Sequence, residues 1–404
     1  MTLDEARARD AADPLAPMRE RFALPEGLIY LDGNSLGPLP RTTRAAIDHV
    51  VDRQWGERLI RSWNEGWIDA PARIGAKIAP LIGAAADEII VADSTSANLY
   101  KLLVAALRHD PARTTIVSEK GNFPTDLHIA EGAAAAVPGA RLHAVDRSYL
   151  AAAIDAQTAV VVLTHVHYKT AERFEMAQWT RTIHDAGALV LWDLSHSVGA
   201  VPVDLSGAGA DLAVGCTYKY LNGGPGAPAF LYVRRDLQDR LANPLSGWMG
   251  HAAPFAFTDG YKAASGMQRW LVGTPPILAM RALEAGVDLW ADVDQQMVAA
   301  KSATLFDILA QAGDVLGLEC VSPRDPTARG SHISFRHPNA YAICQALIAR
   351  GVIGDFRDPD ILRLGLTPLY LSHEDVWRAG EILGQVLTDQ SYTDPAFAER
   401  LAVT

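Results

Sequence analysis

The chain predicts an α/β fold: a large domain built on a mainly parallel sheet, followed by a smaller C-terminal α+β domain. Two observations predict it. From about residue 70, short apolar runs alternate with segments of helical apolar spacing, the pattern of βα units around a parallel sheet. And 404 residues exceed what one small core supports, so two domains in one compact unit are expected.

The elements follow in chain order. Residues 1–60 read as an N-terminal arm that packs on the small domain, with a short helix around Leu3–Arg9. Leu28–Leu31 is a short strand that runs into the loop Asp32–Pro38. Residues 41–60 have helical spacing through Ala45, Ile47, Val50, Val51, Trp55 and Leu59. The large domain is placed at 61–280. Its helices are expected near 71–82, 97–108, 124–132 and 175–186. Its strands are expected at Ile89–Ala92, Thr115–Ser118, Arg141–Val145, Val160–Thr164, 188–192 and 212–216, with an antiparallel candidate at 229–233. One long helix is predicted over 276–312, leading into a small domain at 281–404. There, strands are expected at Leu318–Ser322, His332–Phe335 and Ile361–Gly365, and helices at 339–350 and 373–388. No internal repeat or low-complexity linker is visible.

Composition narrows the function classes. Hydrophobic residues make up 49% of the chain, an ordinary globular content, and the formal net charge of −11 argues against nonspecific nucleic-acid binding. No apolar run approaches the roughly 20 residues of a membrane span. The first residues lack the apolar core of a signal peptide, so a cytoplasmic location is expected. Cys216, Cys320 and Cys344 are far apart and without metal-ligand spacing, which reads as buried free thiols in a reducing compartment.

The most informative stretch is Leu191–Gly226. An apolar strand delivers Asp193, and His196 follows three residues later. A second apolar run delivers Thr217, Tyr218 and Lys219 ahead of a glycine-rich turn. Singly, an aspartate after a strand is a turn former or helix cap, and a lysine there is a solvated loop residue. Together they suit an enzyme that uses pyridoxal phosphate (PLP), with the lysine forming the Schiff base and the aspartate keeping the pyridine nitrogen protonated.

Other strand ends add candidates. Thr95 and Ser96 open a helix after a strand, where they can cap it and bind an anion. Phe123, Pro124, Thr125 and Asp126 follow another strand, and the phenyl ring suits stacking on an aromatic cofactor. Thr164 closes a third strand. His165 and His167 offer two metal ligands, but no third has fitting spacing, so no metal is expected. The loops around Trp248 and Thr274, rich in Gly, Pro and Trp, suit either plain packing or an aryl ligand. Arg363 stands inside an apolar strand; either a structural salt bridge or a substrate carboxylate would account for it.

Strings of residues across most of the chain resemble the kynureninases, PLP enzymes of the aspartate aminotransferase fold type, class V branch. The carriers are YLDGNSLGP at Tyr30–Pro38, STSANL at Ser94–Leu99, FPTD at Phe123–Asp126, LTHVHYKT at Leu163–Thr170, WDLSHSVGAVPVD at Trp192–Asp204, AVGCTYKYLNGGPG at Ala213–Gly226, GWMG at Gly247–Gly250 and VGTPP at Val272–Pro276. The resemblance implies a seven-stranded sheet in the large domain and a homodimer acting on a small molecule. It gives Lys219 the Schiff base, Asp193 the pyridinium and His196 a place beside it. It makes Thr95, Ser96, Tyr218, Trp248 and Thr274 phosphate contacts, the last two across a dimer interface. Phe123 would stack on the ring, Asp126 and Thr164 would touch the cofactor, and Arg363 would hold the substrate α-carboxylate. Asn34, Ser35 and Trp63 would line the substrate pocket.

The implied reaction is hydrolysis of L-kynurenine, and of 3-hydroxykynurenine, to the anthranilate and L-alanine, in tryptophan catabolism. Two other activities share the branch, cysteine desulfurase and aminotransferase. A desulfurase needs an acceptor cysteine on a mobile loop, whereas Cys320 and Cys344 fall in predicted strand and helix.

Overall fold

Short, mostly apolar strands, three of which end on a polar residue (Glu119, Thr164 and Asp193), build the large sheet. The structure, a computed structural model, describes residues 1–400. The strands are β1 (Ile29–Tyr30), β2 (Ile89–Val91), β3 (Thr115–Glu119), β4 (Arg141–Val145), β5 (Thr158–Thr164), β6 (Leu189–Asp193), β7 (Leu212–Gly215) and β8 (Phe230–Val233), then β9 (Glu319–Cys320), β10 (His332–Arg336), β11 (Val352–Ile353), β12 (Asp355–Arg357) and β13 (Ile361–Gly365). Seven of them form one sheet in the order β2-β8-β7-β6-β5-β3-β4. Only β8 runs antiparallel to its neighbours. The other six therefore point one way and end on one edge. The expected mainly parallel seven-stranded sheet is present.

Both faces of this sheet are covered, as parallel sheets require. Alternate residues feed two cores. Val161, Leu163, Val190, Trp192 and Ala213 pack with Ile74, Ile78, Ile183 and Met280 on one face. Val160, Val162, Leu191, Leu212 and Val214 pack with Leu99, Leu102, Leu103, Ala130 and Ala133 on the other.

The C-terminal strands form a four-stranded antiparallel sheet in the order β12-β13-β10-β9. Its apolar face (Ile333, Phe335, Leu362, Leu364) lies in one core with Leu305, Leu309, Ile343, Leu347, Val376 and Leu383 of three helices. The N-terminal arm joins this part of the molecule. β1 pairs with β11 in parallel, and Arg7 of the first helix binds Glu374 of the last.

Three expectations are corrected. The helix over 41–60 is regular only at Arg41–His49; Val50–Arg58 is π-helical, and Leu59, at φ +54°, ends it. The long helix over 276–312 is two helices, Ile277–Val287 and Gln295–Val315. Asp294 restarts the second by accepting from the Gln296 N–H at 2.8 Å. The strands β11 and β12 lie between the expected helix at 339–350 and strand at Ile361–Gly365, where no element is expected. Their apolar residues, Val352, Ile353 and Phe356, are too few to carry a periodic signal.

Candidate active site

The common edge of the six co-directed strands gathers the predicted residues from separate parts of the chain. Loops after β2, β3, β6 and β7 bring Ser94–Ser96, Phe123–Asp126, Asp193–His196 and Tyr218–Lys219, and Thr164 closes β5. Thr164 and Asp193 are register partners on adjacent strands. This is where open α/β sheets place ligands.

Lys219 stands at the centre. Its Nζ lies 2.9 Å from His196 Nε2. It lies 5.9 Å from the centre of the Phe123 ring and 5.8 Å from that of Tyr218. Burial and the Lys219 charge hold His196 well below the usual histidine range, so it meets the lysine as a neutral imidazole. The other ring nitrogen of His196, Nδ1, is buried without a hydrogen-bond partner. Phe123 is 40% exposed and makes an edge contact with Tyr168. Tyr218 titrates above the usual tyrosine range because of burial, so its hydroxyl keeps its proton at neutral pH.

Two buried carboxylates face this lysine. Asp193 Oδ1 accepts from the Ser195 N–H at 2.8 Å. Asp126 Oδ2 accepts from Thr164 Oγ1 at 3.1 Å, and the same hydroxyl contacts Asn122 Oδ1 at 2.5 Å. Burial, then the Asp193 charge, push the Asp126 carboxyl well above its ordinary range. Buried beside Asp193, Asp126 carries a negative charge only at a cost. A cation or a ring N–H placed between them would relieve that.

Arg363 is 1% exposed, deeper than the half-buried strand position its neighbours suggest. Its Nε donates to Asp355 Oδ1 at 2.8 Å and its Nη2 to Asp355 Oδ2. Nη2 also donates to Ser35 Oγ at 2.9 Å, and Nη1 to the Tyr168 carbonyl at 2.5 Å. The structural ion pair, one of the two sequence readings of this arginine, is present with Asp355, and Ser35 and Tyr168 lie beside it. Asn34 is fully buried, and with its amide turned carbonyl-inward it accepts from Arg363 Nε at 3.0 Å.

Three predicted residues do not join the cluster within this chain. Trp63 packs edge-on against Trp67. Trp248 is exposed and stacks with Phe257, and Thr274 is exposed. Pro124 and Thr125 open the helix Pro124–Ala135, with Pro124 at its first position, where the missing N–H costs nothing. The histidines first weighed as metal ligands have other partners: His165 Nδ1 lies 2.9 Å from Ser197 Oγ, and His167 Nε2 lies 2.9 Å from the Gly121 carbonyl.

Sequence reasoning missed Asn122, Asp355, Arg357 and His332. Asn122 precedes the stacking candidate and could have been found as an adjacent polar residue after a strand. Asp355 and Arg357 sit in a run, Asp-Phe-Arg-Asp-Pro-Asp, that reads as a polar loop.

Known proteins can now be set beside this geometry. A curated protein named Kynureninase, from Burkholderia mallei (strain SAVP1), is 51% identical over the full length of both chains. The chain belongs to the kynureninase family. A kynureninase from Pseudomonas fluorescens is 49% identical, again over the whole of both chains. The family model for the kynureninase C-terminal domain matches residues 298–383. Solved structures at lower identity share the fold. A cysteine desulfurase from Thermococcus onnurineus NA1 has a TM-score of 0.79 at 19% identity, over 92% of this chain and 98% of that one. A C-DES variant with glycine covalently linked to its PLP cofactor has a TM-score of 0.77 at 19% identity, over 90% and 98%.

Proposed function

We propose that this kynureninase-family chain hydrolyses the Cβ–Cγ bond of L-kynurenine, and of 3-hydroxykynurenine, giving the anthranilate and L-alanine. The carrying observation is the convergence of Lys219, Asp193, Asp126 and Phe123 on one strand edge, in a chain 51% identical to a kynureninase.

The residues present fit PLP. The close pair of buried carboxylates, Asp193 and Asp126, asks for a positive or hydrogen-donating group, and a protonated pyridine supplies one. Phe123 offers a partly exposed ring, and the start of the helix Thr95–His109 offers N–H groups and hydroxyls to a phosphate. Bound there, PLP supplies an aldehyde for amine condensation and an electron sink at the substrate's α-carbon.

The chain's own groups then divide the work. Lys219 anchors the cofactor and, beside neutral His196, moves the proton at the substrate Cα. Asp193 keeps the pyridine nitrogen protonated. Water adds to the γ-carbonyl, the Cβ–Cγ bond breaks, and the protonated Tyr218 hydroxyl delivers a proton to Cβ. Arg363, with Ser35 and Asn34 around it, fixes the amino-acid end. We assign residues 1–60 to an arm, 61–280 to the cofactor domain and 281–404 to the small domain. We place the enzyme in the cytoplasm as a homodimer, in which Trp248 and Thr274 complete the phosphate site of the partner subunit and Trp63 lines the aryl pocket.

The desulfurase reading loses support here. None of the three cysteines is exposed: Cys216 and Cys344 are buried, and Cys320 is half-buried on β9. The test is incubation of the PLP-loaded protein with L-kynurenine, followed by anthranilate fluorescence and L-alanine release. Anthranilate production is expected. Sulfur release from L-cysteine with no anthranilate would replace this reading with the desulfurase one.

A further inference from the structure

Strand register gathers charge on one face of the small sheet. Ser334, Arg363 and Asp355 are cross-strand partners in one row. His332, two residues before Ser334, and Arg357, two residues after Asp355, share that face by the period-2 rule. Charged and polar residues thus oppose the apolar face that meets the helices.

Arg363 cannot receive a carboxylate on a free fork. A guanidinium has five N–H donors. Four of them are engaged: two by Asp355, one by Ser35 and one by the Tyr168 carbonyl. One N–H on Nη1 remains. Arg357 meets the same counter-ion, at the same Oδ2. Its Nη2 lies 2.7 Å from Asp355 Oδ2 and 3.3 Å from Ser35 Oγ. Its side chain is 34% exposed, yet its Nε is buried with no acceptor. A buried N–H without an acceptor is destabilising, and a bound anion would satisfy it.

The charge count agrees. Two guanidiniums face Asp355. The remaining nearby carboxyl, Asp32, is pushed up to about 7 by burial and by the Asp355 charge. Burial and the surrounding cations hold His332, His196 and His167 below the usual histidine range, so they add no charge. Asp355 thus faces two guanidiniums, and Asp32 holds its proton up to about pH 7.

We propose that Arg357 is a second carboxylate-binding guanidinium, which together with the remaining N–H of Arg363 takes the α-carboxylate of the amino-acid substrate. Asp355 is the shared counter-ion that holds both guanidiniums in place beforehand. The proposal rests on the kynurenine reading for the substrate's identity, and its test separates the two.

The test compares Arg357→Gln and Arg357→Lys with the parent PLP-loaded enzyme. KM and kcat are measured for L-kynurenine, and dissociation constants are measured from visible absorbance for L-alanine and for decarboxylated kynurenine. Arg357→Gln should raise KM for L-kynurenine and Kd for L-alanine by about 10- to 100-fold, the scale of one charge-assisted hydrogen bond, with kcat less affected. Binding of the decarboxylated amine should stay within about twofold. Arg357→Lys keeps the charge on Asp355 and should fall between. Equal losses for carboxylated and decarboxylated ligands, or an unchanged L-alanine Kd in either variant, would make Arg357 a structural partner of Asp355 and overturn the proposal. A parent enzyme that binds L-alanine but makes no anthranilate would overturn the functional reading instead.

Discussion

Lys219, Asp193 and Asp32 have distinct jobs, and each can be tested alone. Lys219→Ala should abolish turnover and the visible absorbance of the lysine-bound cofactor. Borohydride reduction and peptide mapping check the assignment; label on any other lysine refutes it. Asp193→Ala should lower kcat by about a hundredfold or more while KM changes little, because an interaction needed only as negative charge develops at Cα appears in kcat. Near-normal kcat would move the pyridinium role elsewhere. Asp32 concerns stability. Its folded pKa of about 7 lies above the ordinary value of 3.8, because of burial and the Asp355 charge. Between those values the folded state binds more protons than the unfolded state, so this carboxyl's contribution falls as pH rises toward 7. Asp32→Asn should therefore gain stability relative to the parent between pH 5 and pH 8. Urea unfolding at the two pH values reads the difference; a gap that shrinks with pH contradicts it.

At the scale of elements, the Lys219 loop is held between two close backbone approaches. The Gly37 N–H donates to the Tyr218 carbonyl at 2.8 Å. A Cβ at Gly37 would stand 2.2 Å from the Lys219 carbonyl and 2.5 Å from the Asn222 amide. A Cβ at Gly286 would stand 2.4 Å from the Leu221 carbonyl. The arm loop and the helix Ile277–Val287 thus fix where the lysine emerges. Gly37→Ala should push the Tyr218–Lys219 segment and weaken cofactor retention about tenfold or more, a cost of about 1.4 kcal/mol or more and within the usual range for forced overpacking. Cofactor titration reads this directly. Parent-like affinity would show that the arm does not position the lysine.

At the scale of the whole molecule, Trp248, Phe255 and Phe257 form an exposed aromatic patch. Trp248 is 44% exposed and Phe257 77%, with Phe255 between them in edge contact with both. Clustered exposed aromatics mark association surfaces. On the homodimer reading, Phe257→Asp should shift sedimentation toward monomer and loosen PLP together. A variant that stays dimeric and keeps PLP would place the interface elsewhere.

The α/β class, the strand ends and the Lys219–Asp193 pair could be read from the sequence because each is a local signal. An apolar run of five residues ending in a polar one needs no distant partner to be recognised, and neither does the Asp-Leu-Ser-His string. Tertiary structure decided what depends on neighbours. The helix over 41–60 departs from α geometry after His49, and the helix over 276–312 breaks before Asp294, although the apolar pattern continued through both. Strands β11 and β12 exist because β1 and β13 supply their hydrogen bonds. The partners of Arg363 come from positions 35, 168 and 355, so no spacing in the sequence could announce them. A side chain's residue type limits the chemistry it can perform, but its charge state and its free donors depend on which other segments fold against it.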